Sequence, residues 1–276
     1  MSPNPSPFLG ILPPCLRLQI YTHLLTTPVP IKGPTARQFQ SETYNIHTSI
    51  LRVSKQIHAE ARHVFFGRNT FYINSLSPLS DSDEVGSGAF EPPLQLKDLA
   101  LVRHLEVDLL YYPETLRTTV GWEGKGWQPV CPAAERYITS LSFLLGAVKE
   151  SLISLKLAAD VRSCTSSSTS DDEDALDVKK FLTGFHTASS NWRFQEAFSA
   201  LSVKNVELRF DFAESCFDFV VEKEVLLESN LVHVAGQVLV ARSEIRMRRA
   251  LEELQEIEGT GKGEGERRTP EDGAGE

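Results

Sequence analysis

Three segments of this 276-residue chain share one pattern: RHLEVDL at 103–109, ISLKLAA at 153–159 and NVELRF at 205–210 each alternate apolar and other residues with period two. That is the signature of a half-buried β-strand. Their cores begin at Leu105, Leu155 and Val206, so the spacings are 50 and 51 residues. A helical pattern lies inside each interval, over about 132–151, then 176–185 and 194–201, which suggests βα units repeated along the chain and a mixed α/β fold class.

The alternation says which side of such a sheet is covered. Parallel strands with helices on both faces read as continuous apolar runs, and these do not. Leu105, Val107, Leu155, Leu157, Val206, Leu208 and Phe210 are expected to face the helices. His104, Glu106, Asp108, Ser154, Lys156, Asp160, Asn205, Glu207, Arg209 and Asp211 would then line a polar face. Helices confined to one side give an irregular, leucine-rich-repeat-like arc over residues 94–257. An ordinary α+β sheet with one solvated face is the alternative. In either arrangement Glu106, Asp108, Lys156, Glu207 and Arg209 are the candidate partner-binding strand face.

Upstream, the pattern changes from two to about 3.6. Leu12-Pro13-Pro14 opens a first helix, since proline in the first turn forfeits no helical hydrogen bond. Leu12, Leu16, Ile20 and Leu24 then recur every four residues, with Tyr21 and Leu25 beside them. Pro28, Pro30 and Pro34 make the stretch to about Asn45 a loop. A second helix is expected over 48–66, with Ile50, Val53, Ile57, Ala61 and Val64 inward and Arg52, Lys55, Gln56, Glu60 and Arg62 outward. Gly67 fits a left-handed residue that ends it. Thr70 to Ile73 read as a strand, and residues 75–93 as a loop.

Charge is unevenly placed. The net charge is -9, but Asp171, Asp172, Glu173, Asp174 and Asp177 account for five of those charges and the Gly-rich tail at 258–276 for three. The near-neutral remainder argues against nucleic acid as a partner, whose phosphates are met mainly by Lys and Arg. No apolar run approaches the ~20 residues of a membrane span, so no membrane partner is expected. The polar stretch at 163–175 and the tail at 258–276 read as disordered. Ser168, Thr169 and Ser170 precede acids as an acidophilic kinase would require, and an unmodified solubilising insert is the alternative. Between 214 and 257 the pattern is helical, with 232–240 open between helix and strand. Trp122 and Trp127 flank a Gly-rich loop, either as a partner contact or as pins to the core.

Cys15, Cys131, Cys164 and Cys216 stand singly, without C-x-x-C pairs, and no secretory leader is legible. An intracellular protein, cytoplasmic or nuclear, without disulfides is expected. The cluster RSEIRMRR at 242–249 is interrupted by Glu244 as a nuclear address.

Catalytic chemistry finds little support. His58 and His63 are five apart, not on one helical face, and Glu60 with His63 gives one E-x-x-H where a di-metal site needs two. Gly121 to Gly126 and Gly259 to Gly265 lack the order of a phosphate-binding loop, and no G-x-S-x-G elbow exists. The expectation is a non-enzymatic protein with no cofactor and no metal.

The N-terminal blocks carry a resemblance. Leu12-Pro13 with Leu16, Ile20 and Leu24, then ILRVSKQIHAEA at 50–61 and FFGRNTF at 65–71, resemble the F-box-like segment of a large group of fungal proteins. The similarity covers about 9–73, within a helical segment expected at 8–74. An F-box docks on a Skp-type adaptor and so connects a cullin-RING ubiquitin ligase to a client. The resemblance therefore implies adaptor binding through Leu12, Pro13, Leu16 and Ile20, and a substrate receptor for a protein client as yet unidentified. The alternative is a scaffold in which the hairpin only caps the core without binding an adaptor.

Overall fold

The computed structural model describes residues 7–33, 43–75, 90–110, 132–160, 181–182, 184–212 and 215–261. The chain divides into two compact units, Met1–Ala235 and Gly236–Glu276. β1, Thr70–Ser75, which the expected helical segment at 8–74 largely includes, is a strand of the main sheet. The tail after 261, the stretch at 163–175 with its Ser168, Thr169 and Ser170, and Trp122 and Trp127 lie outside the described residues.

The first unit is a mixed α/β structure around one six-stranded sheet. With β2 at Phe90–Glu91, β3 at His104–Asp108, β4 at Ser154–Asp160, β5 at Asn205–Asp211 and β6 at Cys216–Glu222, the strand order is β2-β1-β3-β4-β5-β6. β1, β3, β4 and β5 run parallel, and β2 and β6 pair antiparallel at the two ends. The register aligns Leu105 with Leu155 and Leu155 with Val206, so the sequence spacing of 50 and 51 returns equivalent positions to one row. The outer side of β1 is closed by two short pieces. Ile31 N donates to Thr70 O at 2.8 Å and Tyr72 N to Ile31 O at 2.9 Å, while β2 pairs further along. A Cβ at Gly33 would fall 2.4 Å from the Glu91 side chain, which would have to shift to admit it.

The apolar row is buried as its alternation requires: Leu105, Val107, Leu155, Leu157, Val206, Leu208 and Phe210 are each at most 1 % exposed. The helical residues after 180 pack on this row, with Phe181 and Phe185 ring centroids 5.5 and 5.4 Å from Phe210. Gly184 lies so close to Leu109 O that a Cβ would approach within 2.7 Å. The Tyr137 hydroxyl of the Pro132–Val148 helix donates to Asp108 O at 2.7 Å.

Ahead of the sheet stand α1 (Pro7–Ile11), α2 (Pro14–Leu25) and α3 (Lys55–Arg68). Three expectations change here. The helix foreseen over 48–66 is a 3-10 turn at Thr48–Arg52 followed by α3, because extended Ser54 caps the new helix and accepts from Ile57 N at 3.2 Å. Gly67 lies inside α3, which ends at extended Asn69. The buried side of α2 is Arg17, Tyr21 and Leu25, not the row Leu12, Leu16, Ile20 and Leu24.

After β5 the chain is not wholly helical. Residues 216–222 form β6, since Phe217, Phe219 and Val221 alternate and aromatic and β-branched residues fit a pleated surface. A helix at Lys223–Ser229 follows. Asn230, at φ 67°, makes the turn, and residues 231–261, including the undecided 232–240, are helical. Asparagine tolerates the left-handed region better than most residues. Within the second unit, the described residues 236–261 are part of that helix.

Candidate interaction surfaces

The N-terminal hairpin is assembled from both ends of its sequence blocks. Arg17, 6 % exposed, reaches across to Glu60 with two bonds of 2.9 Å, Nε to Oε2 and Nη2 to Oε1. Its Nη1 donates to Leu12 O at 2.6 Å and Leu9 O at 3.4 Å, which fastens the end of α1 to α2. The Tyr21 hydroxyl donates to Glu60 Oε2 at 3.0 Å, and Gln56 Nε2 to Oε1 at 3.1 Å. Glu60, expected on the outer face, is thus the centre of the helix contact. The hydrogen bond from Arg17 holds its carboxyl down at about 2, while burial and the bond to Glu60 push the Tyr21 phenol up to about 12.

A second polar link sits at the other end. Asn69 is fully buried and makes three bonds: Nδ2 to Leu25 O at 2.7 Å, Nδ2 to Phe65 O at 2.8 Å, and Oδ1 from Thr27 N at 2.8 Å. It thereby joins the C-terminal ends of α2 and α3 immediately before β1. Neither Arg17 nor Asn69 was identifiable as a link from sequence spacing, because their partners are 43 and 44 residues away.

With Arg17, Tyr21 and Leu25 turned inward, the candidate adaptor residues face elsewhere. At about 100° per residue, Leu16 lies roughly 140° around the axis from Tyr21. Leu16 is 43 % exposed, Pro13 is exposed, and Leu12 and Ile20 are half-buried. Leu16 and Ile20 are therefore partly uncovered on α2, and Leu12 and Pro13 lie just ahead of its first residue. A flank of the same helix, with Leu18, Gln19, Thr22 and His23, borders an open groove of about 580 Å3 together with Tyr44 and Arg68.

The strand face is brought together by register. Tyr72, Glu106, Lys156 and Glu207 stand in one row across β1, β3, β4 and β5; Asp108 and Arg209 stand in the next row, with Ala158 between them. Lys156 Nζ lies 2.9 Å from Glu207 Oε2 and 3.6 Å from Asp218 Oδ2, and Arg209 Nε donates to Asp211 Oδ2 at 2.6 Å. The face was expected to be solvated throughout, and it is not. Glu106 is 8 % and Asp108 2 % exposed. Tyr72 OH donates to Asp108 Oδ2 at 2.8 Å, Leu110 N to Oδ1 at 2.9 Å, and Lys32 Nζ sits 5.2 Å from the Tyr72 ring. Glu106 and Asp108 are therefore enclosed, and the accessible candidates are Lys156, Glu207 and Arg209 toward β5 and β6.

Burial raises the Glu106 carboxyl despite Lys156, Arg209 and Lys32, and raises Asp108 further despite its two donors. His104, whose Nδ1 is 2.7 Å from Ser154 Oγ, is lowered by burial and Arg103. Burial thus favours the neutral form of all three. Among the described residues no three His, Cys, Asp or Glu side chains are grouped to hold a metal ion, Cys15 and Cys216 are free thiols, and no helix is long and apolar enough to cross a membrane. Compared with family models, with curated proteins and with solved structures, the chain matches none.

Proposed function

We propose that the protein is a non-enzymatic protein-interaction module: an F-box-like hairpin that docks on a Skp-type adaptor of a cullin-RING ubiquitin ligase, followed by a leucine-rich-repeat-like body that receives a client. One observation carries this reading. Leu16 and Ile20 on α2, with Leu12 and Pro13 just ahead of it, are left partly open while Arg17, Tyr21 and Leu25 hold the helix to α3. A rigid helix with an uncovered apolar stripe is what a docking partner requires. The body contributes Lys156, Glu207 and Arg209 as accessible strand-face contacts.

A second reading is favoured by Asn69 and Leu25, both fully buried at the foot of the hairpin: a scaffold whose hairpin caps the sheet. The two separate in a pull-down of adaptor and cullin by wild-type protein and by Leu16→Asp. Docking predicts that the wild type recovers both and that Leu16→Asp, still folded, recovers neither. A folded wild type that recovers no adaptor rejects the ligase reading and leaves the scaffold.

A further inference from the structure

We propose that the outer edge of β6 is a strand-addition site for an extended peptide that alternates basic and apolar residues. This goes beyond the adaptor reading and does not depend on α2.

The backbone comes first. Lys223 N donates to Lys204 O and Phe212 N to Ser215 O, both at 2.8 Å, so the pairs at the two ends of the β5–β6 ladder are hydrogen-bonded ones. Between them the register runs without a bulge from Asn205 opposite Glu222 to Asp211 opposite Cys216. Bonded and non-bonded pairs alternate in an antiparallel ladder. Phe217, Phe219 and Val221 therefore bond to β5, and Cys216, Asp218, Val220 and Glu222 direct their N–H and C=O groups away from it. No described residue takes up those groups, and β6 is the last strand of the sheet among the described residues. Val220 is 63 % exposed, and no proline or bulge blunts the seven-residue edge.

The side chains specify what fits. On one face Phe217, Phe219 and Val221 are only half-buried, with Phe219 5.7 Å from Phe210, so an added strand would extend that apolar surface with apolar residues of its own. The other face carries Asp218 and Glu222, both exposed. Lys156 reaches Asp218 at 3.6 Å and half-exposed Glu207 at 2.9 Å, and Arg209 stands opposite Asp218, whereas Glu222 has no ion pair among the described residues. The acid open to an added strand is therefore Glu222 first and the outer side of Asp218 second. A two-fold pairing of β6 with a second copy would gather the same acids from both chains on one face, and like charges across strands are destabilising. Lys or Arg at alternate positions of a different chain would meet them favourably. Main-chain bonds give such a complex affinity and the alternate side chains give it selectivity.

The probe is a fluorescein-labelled, end-capped peptide of roughly ten residues alternating lysine and valine, titrated into the full chain and followed by anisotropy. It should bind, and its counterpart with glutamate for lysine should not. Asp218→Lys with Glu222→Lys should weaken the lysine peptide by about tenfold or more and admit the glutamate peptide. Val220→Pro removes an outward N–H without touching a bond to β5, and should abolish binding while circular dichroism stays unchanged. A lysine peptide N-methylated at alternate residues tests the same bonds from the other side, even if Val220→Pro does not fold. Equal binding of lysine and glutamate peptides, full binding of the N-methylated peptide, or a light-scattering dimer in which the edge is taken by a second copy would each overturn the proposal.

Discussion

The hairpin and the sheet hold together by different means. In the body, the buried rings of Phe181 and Phe185 meet Phe210 of the apolar row, and Phe181 also meets Phe212, as tilted pairs with centroids 4.9 to 5.5 Å apart, and the row is at most 1 % exposed. Around α2 and α3 the buried apolar cluster is Tyr21, Leu25, Ile57, Ala61 and Val64, and directional polar links, Arg17 to Glu60 and Asn69 to three backbone groups, complete it. Phe8, Leu9, Leu24, Ile46, Ile50, Leu51 and Phe65 pack around that cluster, and the hydrogen bonds at both ends of α2 add directional fixing to the packing.

The largest effects should separate the two regions by mechanism. Phe210→Ala, which empties a site lined by Phe181, Phe185 and Phe219, should cost about 3–5 kcal/mol in urea unfolding. The loss should be global, with amide exchange accelerated through β3, β4 and β5 alike. If exchange rose only in β5, the sheet would not open as one cooperative body.

Asn69→Ala should come next, at about 2–4 kcal/mol, because it orphans Leu25 O, Phe65 O and Thr27 N in a buried position. Its exchange signature should differ, appearing first at the end of α2 and in residues 26–31. Asn69→Asp should not rescue it: a carboxylate can still accept from Thr27 N but would face two carbonyls with no donor.

The strands of the body were legible because period-two alternation depends on neighbours in sequence, and the register then places those positions in one row. The same rule was available at 216–222, where Phe217, Phe219 and Val221 alternate, but the flanking acids and lysine of 222–224 also suit a helix, so the edge strand was missed. For α2 the apolar period identified a helix and the wrong buried side. An arginine is turned inward there by a carboxylate 43 residues away, and no local pattern encodes that distance. The sheet face failed similarly: Glu106 and Asp108 alternate as solvated residues would, and Tyr72 and Lys32 from other segments enclose them.

The polar links also give the two regions opposite responses to acid. Glu60 is held at about 2, below its ordinary 4.5, so its contribution is complete above about 4.5 and is lost as pH falls toward 2. Glu106 and Asp108 are raised by burial, so their neutral forms suit the fold: their contribution is present below ordinary carboxylate values and is lost as pH rises through the elevated ones. Hydrogen exchange between pH 5 and 2.5 should therefore accelerate in α2 and α3 before β3. Glu60→Gln should flatten the hairpin's dependence without changing that of β3, and a β3 that opens first on acidification would contradict the enclosure of Asp108.

The smallest expected effect is the most informative about the free side of α2. Leu16 is 43 % exposed and lies away from the Tyr21 side, so Leu16→Asp should change stability by no more than about 0.5 kcal/mol. Tyr21→Ala, five residues on, removes a side chain that is 1 % exposed and bonded to Glu60, and should cost several times as much. The ratio measures how far the helix is divided between holding the hairpin and presenting a surface. Should Leu16→Asp cost as much as Tyr21→Ala, Leu16 would be internal packing, and adaptor recovery lost in that variant would report unfolding in place of docking. A thermal melt run beside the pull-down distinguishes the two, because docking predicts an unchanged midpoint in a variant that has lost its partner.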